Sequence, residues 1–517
     1  MDLRQQKRRA TFILITFWVI VGLTSALLYD LEWFIQKVIL FNGRLVQDLA
    51  SEKISFTSLD GQEITIAFKD YGVTSTKTFY EQLDTLISSD QGSNLIKYYD
   101  ARINWAFKLE GLIFSGGGLF AAFVSGPLVI LAVNKRKNYR LIVLPLIIVF
   151  AIALATLAPL VSSLLLLIVV FTPIFAFGYG YRTALDPWAT SVARKSNVKI
   201  SFVRGFYEVG AGVGSLFITQ IYFHFNFHAK NISYASGTPY YIVGMALVIL
   251  ALFLAFLMPN NVFSESHVSH QLSERKIKEV EKSNLINKTL VWKDIVFKKS
   301  FLIGLVAFTL MIGTIQAFNS IWVNTVENLT KTAQAVKNVQ HIGYQKIFST
   351  LPRVLFAFIM LKVIGRFPLK KMLILIAAFS SLSWLMIGTI VYLVKGLDPL
   401  LIDLLGGVAE ACVATMTILL GYEFVSRLST LNTRPTVFVI FNSVTYGIGG
   451  IIFVQINAFL SKTVVFGAEG FLVWLVMSIA VAVSLVIVAI FFREQDYLTR
   501  ETDEHLFDKQ TIKQRRG

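Results

Sequence analysis

The chain has a single cysteine, Cys412, among 517 residues, and only six histidines. One thiol excludes an internal disulfide, so any exported part must hold together without one. There is no HExxH, no GxxxxGK[ST] and no paired-cysteine motif. The usual signatures of a zinc protease, a phosphate-cradling loop and a structural zinc site are therefore missing. The pair His267 and His270 in "HVSH" has no third ligand nearby, and His224, His228, His341 and His505 are scattered. An enzyme, a metal centre and a bound cofactor are not expected. Charge is also scarce, at 15% of residues, and it is unbalanced: 48 Lys and Arg stand against 32 Asp and Glu.

What the chain has in quantity is apolar length. Hydrophobic residues make up 55% of it and the mean hydropathy is +0.63, which places it among polytopic membrane proteins rather than soluble multidomain ones. Runs of about 20 uncharged residues are long enough to cross a hydrocarbon core of about 30 Å as helices. Twelve such spans are expected, at 11–30, 109–133, 141–158, 160–181, 201–225, 239–258, 301–323, 342–364, 372–394, 399–423, 436–460 and 469–492. The first follows a basic stretch, as a secretory signal would. Its apolar part is long, however, and no small-residue cleavage site follows, so it reads as an uncleaved span.

The excess positive charge is not spread as a nucleic-acid-binding surface would need. If successive connections alternate sides, 31 of the 48 Lys and Arg fall on one side and 12 on the other, with the remaining 5 in or at the edges of spans. The positive-inside rule then puts both termini in the cytoplasm, and a cell-membrane location is expected with no nucleic-acid partner. The longest inner connection, 259–300, carries "SERKIKEVEKSNLINK" and divides the spans six and six. Two six-helix halves are expected, 1–258 and 301–492, with 259–300 as a cytoplasmic linker and 493–517 as a cytoplasmic tail. A monomer is expected.

One outer segment, 31–107, departs from the apolar pattern. "KISFTSLDGQEITIAF" alternates apolar and polar residues on both sides of Asp60-Gly61, a strong hairpin signal, and "STKTFYEQLDTLISS" has helical spacing. A small α/β extracytoplasmic insertion between the first two spans is expected. An insertion without binding function and a part in partner contact or substrate delivery are both open readings of it.

Charges inside spans carry the functional reading, because a charged side chain in the bilayer costs a few kcal/mol and so faces a partner or a wet cavity. Arg204 and Glu208 sit one helical turn apart in "SFVRGFYEVGAGVGS", with Asp186 at the end of the preceding span. Arg353, beside Pro352, and Glu410 lie near the middle of their spans. Arg353 is a candidate substrate ligand, and Glu410, with Glu208, a candidate proton carrier, since burial raises a carboxylate's pKa and a nearby arginine lowers it. Gln316 with Asn319, and Asn442 with Tyr446, are spaced to line a wet centre or to hydrogen-bond between helices. Gly210, Gly212 and Gly214 fit close helix packing, with a flexible bend as the alternative.

Two sets of six spans, a long middle loop and the basic turns "NKRKNYR" and "GRFPLKK" resemble the major facilitator superfamily. Within it, "DPWATSVARKSNVKISFVRGFYEVGAGVGS" resembles the lactose permease, oligosaccharide and nucleoside proton-symporter group. That resemblance implies the major facilitator fold, a small polar solute such as a sugar or nucleoside, and protons as co-substrate. It places Asp186 where the group has its sugar-binding glutamate and Arg204 where it has the arginine that pairs with it. The second half departs from the pattern. Thr350 stands where the group has an essential acid, and span ten holds Glu410 and Cys412 in place of a histidine–glutamate pair. Lactose chemistry itself is therefore not implied. The expected function is proton-coupled transport of a small polar solute by alternating access, with an organic-anion or phosphate-ester exchanger as one alternative and a non-transporting sensor or scaffold working through 31–107 as another.

Overall fold

The computed structural model describes residues 3–29, 41–88, 93–120, 200–224, 238–257, 295–330, 335–364, 367–394, 397–429, 434–460 and 470–493, with a few isolated positions besides. The spans expected at 141–158 and 160–181, most of the 259–300 linker, the 493–517 tail apart from its first residue, and Asp186 lie outside these residues.

The chain begins with α1 (Leu3–Tyr29), followed by α2 (Asn42–Leu49) and a hairpin of β1 (Ile54–Thr57) and β2 (Glu63–Ile66). A short helical turn, Phe68–Tyr71, leads to α3 (Thr76–Ser88), α4 (Asn94–Phe120), α5 (Ile200–His224) and α6 (Thr238–Leu257). Beyond residue 294 come α7 (Lys299–Thr330), α8 (Ala335–Val363), α9 (Leu369–Leu393) and α10 (Pro399–Leu428). Then α11 (Arg434–Asn442) passes through a π-helical turn, Ser443–Ile448, into α12 (Gly449–Leu460), and α13 (Gly470–Phe491) follows.

Six helices among the described residues are long and apolar enough to cross a membrane, with windows at Lys7–Leu27, Lys299–Phe318, Leu369–Tyr392, Leu400–Val425, Thr436–Ile456 and Phe471–Phe491. Shorter apolar stretches, Met245–Leu254 and Ile347–Met360, lie in α6 and α8. Many large apolar side chains are left outside, among them Phe256, Leu351, Leu375 and Ile490, while Arg204, Glu208, Gln345, Asp403 and Glu410 are buried. Apolar outside and polar inside is the arrangement a bilayer selects.

Residues 41–120 begin as a small aromatic-cored unit. The strands pair antiparallel with Ile54 opposite Ile66 and Phe56 opposite Ile64, and Gly61, at φ +82°, takes the left-handed turn position after Asp60. Alternation turns Ile54 and Phe56 inward, where Phe56 and Phe68 meet the Tyr98 ring of α4 edge-on and Phe79 of α3 joins them. Asp48 ties α2 to α4. It accepts a 2.8 Å hydrogen bond from the Tyr98 hydroxyl and pairs with Arg44 at 3.1 Å and Arg102 at 2.9 Å. Burial, then the Asp48 charge, pushes the Tyr98 hydroxyl above its ordinary range. Burial, and secondarily the Asp60 charge, likewise pushes the Asp100 carboxyl well above the usual carboxylate range.

Glycine sets how closely the membrane helices approach. α1 and α5 run in the same direction: Gly22 lies against the Tyr207 carbonyl, Gly210 against the Val19 carbonyl, and Gly214 against Leu23 and Ala26. On another face of α5, Gly212 admits Thr350 of α8, and Phe206 meets Phe358 edge-on at 5.9 Å, so α5 and α8 run antiparallel. Gly407 of α10 lies against Gln345, Phe348 and Ser349 of α8. The glycines of α5 thus serve close packing, as small residues do between helices in lipid.

The helices from α7 onward close around stacked aromatics. Phe318 stacks on Trp322 and Trp384, and Trp474 meets Phe318 edge-on, which joins α7, α9 and α13. Serines 381 and 478 exchange hydrogen bonds across α9 and α13. α4 packs against α12 and the π-helical turn, where Gln455 donates to the Lys108 carbonyl at 3.2 Å.

A methyl group at position 210 has no room, because it would run into the Val19 backbone. Gly210→Ala is expected to force α1 and α5 apart and destabilise the protein by about 1–3 kcal/mol. Thermal unfolding in detergent should show a clear fall in Tm, whereas Val213→Ala, at a position 48% exposed on the same helix, should leave Tm nearly unchanged.

Candidate functional site

The deepest charges meet. α8 contains Pro352 inside the helix. Its ring nitrogen cannot donate, so the Phe348 carbonyl lacks its usual partner and the helix is locally weakened. Arg353 follows directly, and its guanidinium bonds and ion-pairs with Oε1 of Glu410 on α10. Glu410 lies about 15 Å along the apolar part of α10, near the middle of a core about 30 Å thick. The pair is asymmetric in burial: the arginine side chain keeps 17% of its exposure and the glutamate 2%. The cation therefore faces a more open environment than the anion it neutralises.

A second cation is enclosed rather than open. Arg204, near the start of α5, is 4% exposed, and its guanidinium lies 4.0 Å from the ring centre of Tyr207, 4.4 Å from that of Trp18 on α1 and 4.8 Å from that of Tyr422 on α10. Such contacts strengthen when desolvated, to about 2 kcal/mol. The side chain is thus held among rings inside the protein and does not extend to the membrane interface. Arg204, Glu208, Ala211 and Ser215 follow one another at spacings of four, three and four. They form a single inward stripe, and all are 5% exposed or less.

Other expected site residues are placed less directly. Gln316 of α7 rests over Gly450 of α12, where the glycine leaves it room. Asn319 lies one turn further along α7. Asn442 closes α11, and Tyr446 falls inside the π-helical turn, so the regular spacing of four that links them in the sequence is not a single α-helical turn here. The π-helical turn packs against α7 and α4. Asp186 lies outside the described residues.

The structure also brings forward residues that the sequence does not single out. Trp18 and Tyr422 come to Arg204 from distant helices; only Tyr207, three residues along the same helix, leaves a local signal. Asp403, fully buried in α10, stands seven residues before Glu410 on the same helical face, a spacing that was readable. Gln345 and Ser349, both 2% exposed, precede Arg353 by two turns and by one turn. Among the described residues, no group of three or more His, Cys, Asp or Glu side chains that could hold a metal is found.

No family model matches the chain, and no curated protein resembles it in sequence. Solved structures do resemble it in fold. The nucleoside transporter NupG is similar over 95% of this chain and 100% of its own, with a TM-score of 0.54 at 12% identity. The major facilitator superfamily proton:xylose symporter XylE, bound to 6-bromo-6-deoxy-D-glucose, is similar over 95% of this chain and 97% of its own, with a TM-score of 0.61 at 11% identity. The POT family transporter PepTSo is similar over 95% and 99%, with a TM-score of 0.55 at 13% identity. The apolar helices and these likenesses define a helical, multi-pass membrane protein. Its fold is that of the major facilitator transporters.

If the Arg353–Glu410 contact holds α8 to α10, breaking it from either side leaves a buried charge alone, at a cost of about 3–5 kcal/mol, while removing both charges costs much less. Arg353→Met and Glu410→Leu should each lower Tm more than the double variant does. Additive losses in the double variant would mean that the two side chains act separately.

Proposed function

We propose that the protein is a secondary active transporter of a small polar solute, a sugar, nucleoside or similar molecule, coupled to protons and working by alternating access. The observation that carries this reading is the arginine–glutamate pair buried at mid-depth in α8 and α10, within a fold shared with the transporters NupG and XylE. A membrane protein that only senses or scaffolds has no need of such a pair. Glu410 is the proton carrier. While it is ionised, Arg353 is neutralised by it; when it is protonated, Arg353 is released to bind solute oxygen atoms in the more open direction it already faces. Arg353 is thus the solute ligand. Gln316, Asn319 and Asn442 bind the solute's hydroxyl or amide groups beside the π-helical turn.

Arg204 and Glu208 form the matching element on α5, with Asp186 as the acidic partner that the sequence resemblance implies. Two halves, 1–258 and 301–492, rock about the site, joined by 259–300, and 31–107 is an extracytoplasmic insertion. Both termini face the cytoplasm, in keeping with the 31-to-12 distribution of basic residues. An organic-anion or phosphate-ester exchanger would use Arg204 and Arg353 together. The enclosure of Arg204 by three rings and the neutralisation of Arg353 by Glu410 favour a neutral solute over that alternative.

Uptake into proteoliposomes separates the readings. With an inward proton gradient, D-xylose or uridine should accumulate, a protonophore should abolish the accumulation, and entrapped pyranine should report acidification that depends on the solute. Exchange of a sugar phosphate that ignores the protonophore would support the exchanger. Failure of neutral and anionic solutes alike to enter faster than into protein-free vesicles would contradict the transporter reading.

A further inference from the structure

Two rows of polar side chains face each other where α8 meets α10. On α8, Gln345, Ser349 and Arg353 follow at spacings of four, which keeps them on one face. On α10, Asp403, Gly407 and Glu410 follow at four and three, again on one face. Gly407 against Gln345, Phe348 and Ser349, and Arg353 against Glu410, show that these two faces are the ones in contact and that the helices run in the same direction. Asp403 is fully buried, Gln345 and Ser349 are 2% exposed and Glu410 is 1% exposed, so the row is internal along its whole length.

An apolar seam would be the ordinary way to join two membrane helices. This one instead carries a second buried carboxylate and a buried amide donor, Nε2 of Gln345, that has no hydrogen-bond partner among the described residues. A buried donor without a partner costs about 1–3 kcal/mol. That cost is relieved when water or a solute oxygen reaches it.

We propose that the α8–α10 seam is a hydrated proton path leading from the end of the bundle where the two helices begin down to Glu410, with Asp403 as its entry carboxylate and Gln345 and Ser349 holding the water. The proposal rests on the proton-carrier role of Glu410. Asp403 and Glu410 are seven residues apart, about 10 Å along the axis. This is beyond a direct hydrogen bond, so about two or three water molecules, or water and the Ser349 hydroxyl, must bridge them. A proton brought to the buried Asp403 carboxylate by water entering between the starts of the two helices passes along that chain to Glu410. As Glu410 gains its O–H bond, its hydrogen bond from Arg353 is released, and Asp403 returns to the carboxylate form. Gly407 holds the α8 and α10 backbones in contact between the two acids, so the water passes beside this contact rather than through it.

The titratable and charged groups facing the seam are few. Arg353 comes from α8, Arg204 and Glu208 from α5, Tyr392 from α9, and Cys412, Tyr422 and the Glu423–Arg427 pair belong to α10 itself; the described side chains of α7 after Lys299 include no charge. Lys370 and Lys371 of α9 lie at the opposite end of the bundle.

The test needs no solute, so its outcome is separable from that of the transport reading. In a Cys412→Ala background, which holds no other thiol, Gln345→Cys and Ser349→Cys are treated with a membrane-impermeant cationic methanethiosulfonate in right-side-out and inverted vesicles. Only a thiolate in contact with water reacts, so both should be modified about tenfold or more faster than Leu351→Cys, the apolar outward control that is 76% exposed. They should react from one side of the membrane only. Reaction no faster than at Leu351→Cys would overturn the proposal. Asp403→Asn is then compared with the parent protein by infrared difference spectroscopy after a pH jump, following the carboxylic C=O band that Glu410→Gln removes. A path through Asp403 requires that band to rise about tenfold or more slowly in Asp403→Asn; an unchanged rate removes Asp403 from the path and overturns its role as the entry.

Discussion

A charge pair in the middle of an apolar span is the constraint around which this protein is arranged. Neither Arg353 nor Glu410 is tolerable alone at that depth, and together they remain costly enough that hydrophobic replacements of similar size would serve stability at least as well. Their presence therefore asks for a reason beyond holding α8 to α10. The pair sits between a proline-weakened helix on one side and a glycine-approached helix on the other, with the arginine side chain less buried than the glutamate.

The packing around the pair follows from the need to bring helices close without a hydrophobic drive between them. Gly22, Gly210 and Gly214 join α1 to α5, Gly212 joins α5 to α8, and Gly407 joins α8 to α10. This chain of contacts carries Arg204 and its aromatic neighbours next to the helix that holds Glu410. α10 is thus gripped by two cations at different depths. Arg353 holds it through a carboxylate, and Arg204 through the face of Tyr422, 12 residues further along, about 18 Å. A carboxylate contact can be switched by a single proton; an aromatic one cannot. Only the first is suited to coupling.

Much of the membrane architecture was legible because lipid imposes length and polarity rules that a sequence must obey run by run. The spans expected from 301 onward correspond to α7, α8, α9, α10, the α11–α12 pair and α13. The ends moved where polar residues extend a helix past the apolar run, as in α8, which begins at Ala335 rather than 342. The π-helical turn at Ser443–Ile448 had no such signature, since it depends on contacts with α7 and α4 rather than on local composition. At the site, Arg353 and Glu410 stood out as isolated charges in apolar runs, yet their pairing joins residues 57 positions apart and only packing reveals it. The approach of Trp18 and Tyr422 to Arg204 was hidden for the same reason, and aromatic residues, at 13% of the chain, are too common to single them out.

The most direct test is the separation of proton coupling from solute exchange in Glu410→Gln, which keeps the size of the side chain and its ability to accept from Arg353 but cannot ionise. With a solute that the parent protein accumulates under a proton gradient, the variant should lose that accumulation while still exchanging labelled for unlabelled solute across the membrane. Accumulation at the parent level would contradict the coupling role proposed for Glu410.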